Sequence, residues 1–254
     1  MSKRIDRTNE EGFNNFGSKM IITRFNGTSD IDVYFPEFNW IFKKTTYDSF
    51  KTGRIKCPYE KRFYNKGYLG EGKYKVSENR QMTKACHLWI HILERCYDEQ
   101  HRYRRQAYVD VNVCDEWLNF QNFAKWYYDN YYEIQGEQME LDKDILHKGN
   151  KVYSPDNCIF VPKRINTLFV KNDKRRGGYP IGVCYDKKSN KFRSRCNTLD
   201  KRIHLGFFET PEKAFKVYKE FKEKYIKEVA EEYKNKIPNK LYKAMMEYEV
   251  EITD

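Results

Sequence analysis

Residues 139–170 carry the residue types that could do chemistry. MELDKDIL is followed by the polar stretch HKGNKVYSPDN, then by CIFVP and KRINTLFV. This order predicts a short strand, a turn, a second strand and a helix. Asp142 falls on the first strand, Asn157 enters the second, and Asn166 lies on the helix. Cutting a phosphodiester needs a divalent cation to stabilise charge on the leaving oxygen and an activated water. A small hairpin and helix can supply one carboxylate, one helix ligand and a base.

A second constellation follows in YPIGVCYD, KFRSRCN and RIHLGFF, read as three strands with turns near Ser189–Asn190 and Leu199–Asp200. Alternation along the strands places Phe192, Ser194 and Cys196 on one face of the second strand, and Ile203, Leu205 and Phe207 on one face of the third. The opposite face then displays Lys191, Arg193, Arg195 and Asn197 beside Arg202 and His204. Arginine suits bidentate contact with guanine edges, whereas lysine serves mostly as a phosphate charge.

Three other patterns are expected to be structural. GYLGEG (67–72) lacks the Lys-Ser/Thr ending of a phosphate loop. His87 and His91 stand at i, i+4 in HLWIH, which does not meet the HExxH pattern, so they read as helix surface. The seven cysteines include no CxxC pair, so most of them read as buried small hydrophobes in a reducing compartment.

The whole chain supports these sites with 254 residues, enough to bury a core without disulfide or metal staples. Its 17% aromatic content argues against disorder. No apolar run approaches the ~20 residues of a membrane helix. The opening MSKRIDRTNEEGFNNFG has no apolar stretch that could act as a secretory signal, so a cytoplasmic location is expected. The net charge of +11 points to a polyanionic partner, with double-stranded DNA first and an anionic membrane surface second. Residues 171–208 hold eleven Lys and Arg against three Asp, so the positive field is local.

The positioning elements change character along the chain. Residues 18–78 read as β-rich, with KMIITRF and IDVYF separated by the turn NGTSD. From about residue 80 the pattern is helical: Cys86, Trp89, Leu93 and Cys96 stripe one helix, and Trp117, Phe120, Phe123, Ala124 and Tyr127 a second within 116–132. After the three strands, Thr210-Pro211 supplies a helix start, with Ala214, Val217, Phe221 and Tyr225 facing inward. A last helix follows Pro238.

The pieces IGV (181–183), KFRSR (191–195) and IHLGFFETPEKAFKVY (203–218) resemble the AP2/ERF-type DNA-binding domain over roughly residues 177–232. The resemblance implies a three-stranded sheet laid in the major groove, with Arg193, Arg195, Asn197, Arg202 and His204 as contacting residues. His204 stands where plant members usually carry Trp, and Cys184 where they usually carry Arg.

LDKDIL…SPDNCIFVPKRIN, with RCYDE (95–99) and VCDEWLNFQNFAKWY (113–127) upstream, resembles the HNH (ββα-metal) nucleases of phage homing type over about residues 80–172. The resemblance implies Asp142 and Asn166 as ligands of Mg or Mn, with Asn157 holding the hairpin or orienting the base. The family's general-base histidine falls on Lys143. A lysine base must lose its proton near neutrality, whereas flanking Asp142 and Asp144 favour the ammonium. Three alternatives stand open: His147 as a substitute, the metal alone activating water with Lys143 on phosphate, or a retired site kept for binding.

The expectation is therefore an α+β, multidomain chain. It comprises a β-rich N-terminal module (1–78), an HNH-like ββα-metal domain (79–173), and an AP2-like sheet with C-terminal helix (174–254). The expected function is a metal-dependent DNA endonuclease in the cytoplasm, which is a bacterial host's if the chain is phage-encoded, as the resemblance implies. The alternative is a non-catalytic, sequence-specific DNA-binding protein on a degenerate HNH fold. The N-terminal module suits nucleic acid or protein equally well.

Overall fold

The computed structural model describes residues 5–104, 110–170 and 178–252. It is a mixed α+β chain with several sheets, divided into two compact units, Met1–Asp129 and Asn130–Asp254. The division falls inside the 79–173 span. Lys171, Lys174, Arg175 and Arg176, four of the cations counted in 171–208, lie outside the described residues.

The first unit opens with an antiparallel meander of β1 (Glu11–Phe13), β2 (Lys19–Phe25), β3 (Ile31–Phe35) and β4 (Trp40–Thr45). Period-two alternation sends Met20, Ile22, Ile31, Val33 and Phe35 into a common core. Helix α1 (Tyr47–Lys51), capped by the Thr46 side chain, adds Phe50 to that core. Short strands β5 (Ser77–Glu78) and β6 (Gln81–Met82) lead into α2 (Lys84–Tyr97), whose N-cap is Thr83. Its buried side is Ala85, Cys86, Trp89, Ile92, Leu93 and Cys96, the stripe that the spacing predicts. Helix α3 (Glu99–Arg104) and strand β7 (Asn112–Val113) follow.

The second predicted helix is broken in two, α4 (Asp115–Leu118) and α5 (Phe120–Asn130). The break has a backbone cause. Tyr68 N–H donates to Leu118 O and Phe120 N–H donates to Tyr68 O, both at 2.9 Å, so Asn119 is pulled into extended geometry. The GYLGEG stretch explains itself here: a Cβ on Gly70 would lie 2.1 Å from Asn119 Oδ1, so close packing demands the glycine.

In the second unit, β8 (Met139–Asp142) pairs antiparallel with β10 (Ile159–Pro162), with β9 (Val152–Tyr153) between them in sequence. Helix α6 (Lys163–Asn166) and a 3-10 turn at Thr167–Phe169 follow at once. The three-stranded antiparallel sheet has the order β11 (Val183–Asp186), β12 (Lys191–Asn197), β13 (Arg202–Phe208). Helix α7 (Pro211–Tyr233) starts at the Thr210 cap, and α8 (Asn239–Met246) closes the chain.

Helix α7 joins the two constellations. Twenty-three residues at ~1.5 Å each make a rod of about 34 Å. Ala214, Phe215 and Tyr218, in its N-terminal half, pack with Val183 and Cys196 under the sheet. Ile226, Val229, Ala230 and Tyr233, in its C-terminal half, pack with Ile159, Val161 and Ile165 of the hairpin and α6. The buried stripe is rotated from the predicted one. Phe215, Tyr218 and Ile226 take its centre, and Val217, Phe221 and Tyr225 flank it half-buried.

Candidate functional site

On β8, Glu140 and Asp142 share one face, and Leu141 turns to the other. Their register partners on β10 are Val161 and Ile159, core residues packed with Ile165 of α6. The two carboxylates thus lie on the side of the hairpin that carries the helix. Asn166 at the end of α6 donates from Nδ2 to Glu140 Oε2 at 2.8 Å. Lys163 Nζ stands 3.9 Å from the same carboxylate. The helix amide is therefore engaged by Glu140, one strand repeat before Asp142.

Asp142 Oδ1 accepts the backbone N–H of Asp144 at 2.7 Å and of Ile145 at 2.6 Å, which ends the strand in a tight turn. Burial pushes the Asp142 carboxyl up, against the two backbone N–H groups that favour its charged form. Both of these bonds fall on Oδ1. By donor chemistry alone, carboxylate and carboxamide oxygens are the kind of ligand that hard divalent cations such as Mg or Mn take. Among the described residues, no group of three or more His, Cys, Asp or Glu gathers as a metal cage.

Lys143 folds back into the turn. Its Nζ donates to both Asp144 carboxylate oxygens, at 2.7 and 2.8 Å, and to Asn150 O at 2.8 Å. The three N–H bonds of the ammonium match those three acceptors, and the side chain is only 11% exposed. Asn150 is the hub of the loop. Its Nδ2 donates to Lys143 O and Val152 O, while its Oδ1 accepts from Asn157 Nδ2 at 3.0 Å. Asn157 also reaches Val152 O at 3.3 Å, so its side chain holds the hairpin. His147 is exposed on the loop, and the chain turns after Asp142 rather than running on extended.

The sheet keeps the predicted inward set on β12, with Ser194 and Cys196 fully buried. On β13 the expectation for Phe207 is overturned. The register runs Asn197–Arg202, Cys196–Ile203 and Arg195–His204, then jumps to Ser194–Gly206, so Leu205 is an extra residue in a β-bulge. Gly206 adopts φ +132°, a backbone that L side chains rarely take. The bulge reverses the alternation: Phe207 is 43% exposed opposite Arg193, and Phe208 packs inward with Phe192.

The open face therefore carries Lys191, Arg193, Arg195, Asn197, Arg202 and His204 together with Phe207. Lys191 pairs with Glu209 at 2.9 Å, and Arg202 Nε donates to Asn197 Oδ1 at 2.8 Å. Arg193 Nη2 lies 3.6 Å from the Cys184 sulfur, while its Nε is enclosed without an acceptor. The His204 and Phe207 rings meet edge to face at 4.9 Å.

The turn between β12 and β13 ties this sheet to the hairpin. Arg164 of α6 donates to Asp200 Oδ1 at 3.2 Å, and Leu199 N–H donates to Tyr225 Oη at 3.0 Å. Sequence reasoning missed Glu140, Asn150 and Phe207. The i, i+2 spacing of Glu140 and Asp142 could have found the first; the other two depend on loop and bulge geometry.

No helix among the described residues is long and apolar enough to cross a membrane. Compared with family models, curated proteins and solved structures, the chain matches none of them.

Proposed function

We propose that the chain is a DNA-binding, divalent-metal-dependent endonuclease of the HNH (ββα-metal) type, acting in the cytoplasm, a bacterial host's if the chain is phage-encoded. An AP2-like sheet holds double-stranded DNA, and the Asp142 hairpin hydrolyses a phosphodiester bond. The observation that carries this reading is the α7 rod. It mounts a cation-bearing open sheet and a carboxylate-bearing hairpin–helix on one support.

In this reading Asp142 and Asn166 would hold Mg or Mn, while the turn holds Asp142 Oδ1. Glu140 positions Asn166 across the same face. The cation, when bound, stabilises charge on the leaving oxygen and lowers the pKa of an attacking water. Asn157 and Asn150 hold the loop, and Lys143 keeps its bend. Lys191, Arg193, Arg195 and Arg202 neutralise phosphates or read guanine edges, with Asn197 and His204 beside them.

One observation favours the alternative, a non-catalytic DNA-binding protein. Lys143, at the position where the resemblance calls for a histidine base, has its three donors committed to protein acceptors. Incubation of supercoiled plasmid with wild type and Asp142→Ala, in Mg²⁺, Mn²⁺ or EDTA, separates the two. Metal-dependent nicking that disappears in the variant supports the nuclease. Tight binding with no cleavage in any metal supports the alternative.

A further inference from the structure

We propose that His87 and His91 form a two-imidazole binding site for a late first-row divalent ion, zinc foremost, with Glu94 orienting His91. The buried stripe of α2 leaves the opposite side of the helix free, and all three residues stand there one turn apart. His91 Nε2 lies 3.2 Å from His87 Nε2, with ring centroids 4.3 Å apart and planes at 76°. Two nitrogens bound to zinc at ~2.0–2.1 Å in a tetrahedral arrangement are about 3.3 Å apart. The two nitrogens already stand at nearly the separation of that ligand edge.

Glu94 supplies the supporting shell. Its Oε2 is 3.0 Å from His91 Nδ1. With His91 donating its Nδ1–H to Glu94, His91 Nε2 carries a lone pair on the side of His87. A carboxylate behind a ligating imidazole fixes its tautomer and raises its basicity. In that arrangement His87 Nε2 is the donor of the 3.2 Å contact. On zinc binding the hydrogen moves to Nδ1 of the same ring, and both Nε2 atoms face the ion. Water completes the coordination. Imidazole nitrogens favour zinc, nickel and copper over Mg and Mn, so this site is chemically distinct from the oxygen donors of the hairpin.

Zinc titration of the tag-free full-length protein by calorimetry, with the imidazole ¹H–¹⁵N signals followed in parallel, tests the site. We expect one zinc per chain, with shifts confined first to His87 and His91. His87→Ala or His91→Ala should weaken that event at least tenfold, and Glu94→Gln about tenfold. An equal excess of Mg²⁺ should not compete. The proposal fails if the His87→Ala/His91→Ala double variant takes up zinc with wild-type affinity, or if zinc leaves both imidazole signals unmoved. An unchanged affinity in Glu94→Gln removes the positioning role assigned to that residue. None of these readouts depends on DNA binding or cleavage.

Discussion

Asn166 Nδ2 donates to Glu140 Oε2 at 2.8 Å, and Glu140 stands two residues before Asp142 on the same face of β8. The hydrogen bond fixes the end of α6 over the hairpin and sets where its amide meets the carboxylates. If the chain is the proposed nuclease, with Asn166 a metal ligand, Glu140→Ala should free Asn166 and lower metal-dependent cleavage by about 10–100-fold, the usual effect of removing a residue that orients a ligand. DNA affinity, measured by fluorescence anisotropy, should stay near wild type because the sheet is untouched. Equal losses in binding and cleavage would make Glu140 a folding residue instead.

Lys143 is bound at three points within its own loop. Replacing it with alanine should cost about 1–2 kcal/mol of stability, from the removal of charge-assisted hydrogen bonds, partly offset by solvation. If it is a tether, the pH–rate profile of cleavage keeps its shape in Lys143→Ala, and the rate falls only by a common factor. A general base would reveal itself differently, since its removal takes away the limb of the profile that it controls.

Arg195 and Arg202 lie on the open face, on the neighbouring strands β12 and β13. Removing both should weaken DNA binding by several kcal/mol. For each phosphate that is no longer neutralised, the plot of log K against log salt should also flatten by about one. Binding isotherms of Arg195→Ala/Arg202→Ala across a series of salt concentrations read both effects. Unchanged affinity and slope would overturn the assignment of the sheet as a DNA-binding face.

Phe207 and Phe208 should exchange roles relative to simple strand alternation. Phe207→Ala is expected to leave stability within about 0.5 kcal/mol, because its ring is on the open face. Phe208→Ala removes a ring packed against the α7 cluster and should cost about 2 kcal/mol. Urea unfolding checks both. On DNA the order reverses: Phe207→Ala should bind several-fold more weakly at an unchanged salt slope, as for an apolar contact with a thymine methyl.

Much of this architecture is legible in residue spacing, where burial alone decides orientation. The α2 stripe and the inward set of β12 follow from periods of 3.6 and 2 without further information. What escapes the pattern is non-local. Asn119 breaks a helix because Tyr68, far earlier in sequence, takes the neighbouring backbone groups. Gly206 allows a bulge that turns Phe207 outward, although every residue of RIHLGFF is compatible with an unbroken strand. In the candidate site, Asp142 is found by its place on a strand. Asn150 is found only when the loop closes and brings it onto Lys143 and Asn157.

Lys222 sits at the middle of α7, only 7% exposed, on the side that faces the core. Burial pushes its ammonium pKa down from the ordinary value of 10.5, and the nearby Cys196 thiol opposes the shift only weakly. A lysine whose folded pKa is depressed binds fewer protons in the folded than in the unfolded state, so stability rises with pH through the window below 10.5. Lys222→Met keeps the volume and removes the charge. It should stabilise the protein near neutral pH by about 1–2 kcal/mol. The gap between variant and wild type should narrow as pH is raised from neutrality towards the ordinary lysine pKa. Urea unfolding at several pH values measures it. A variant less stable than wild type at neutral pH would mean that the ammonium makes a stabilising contact in the folded state.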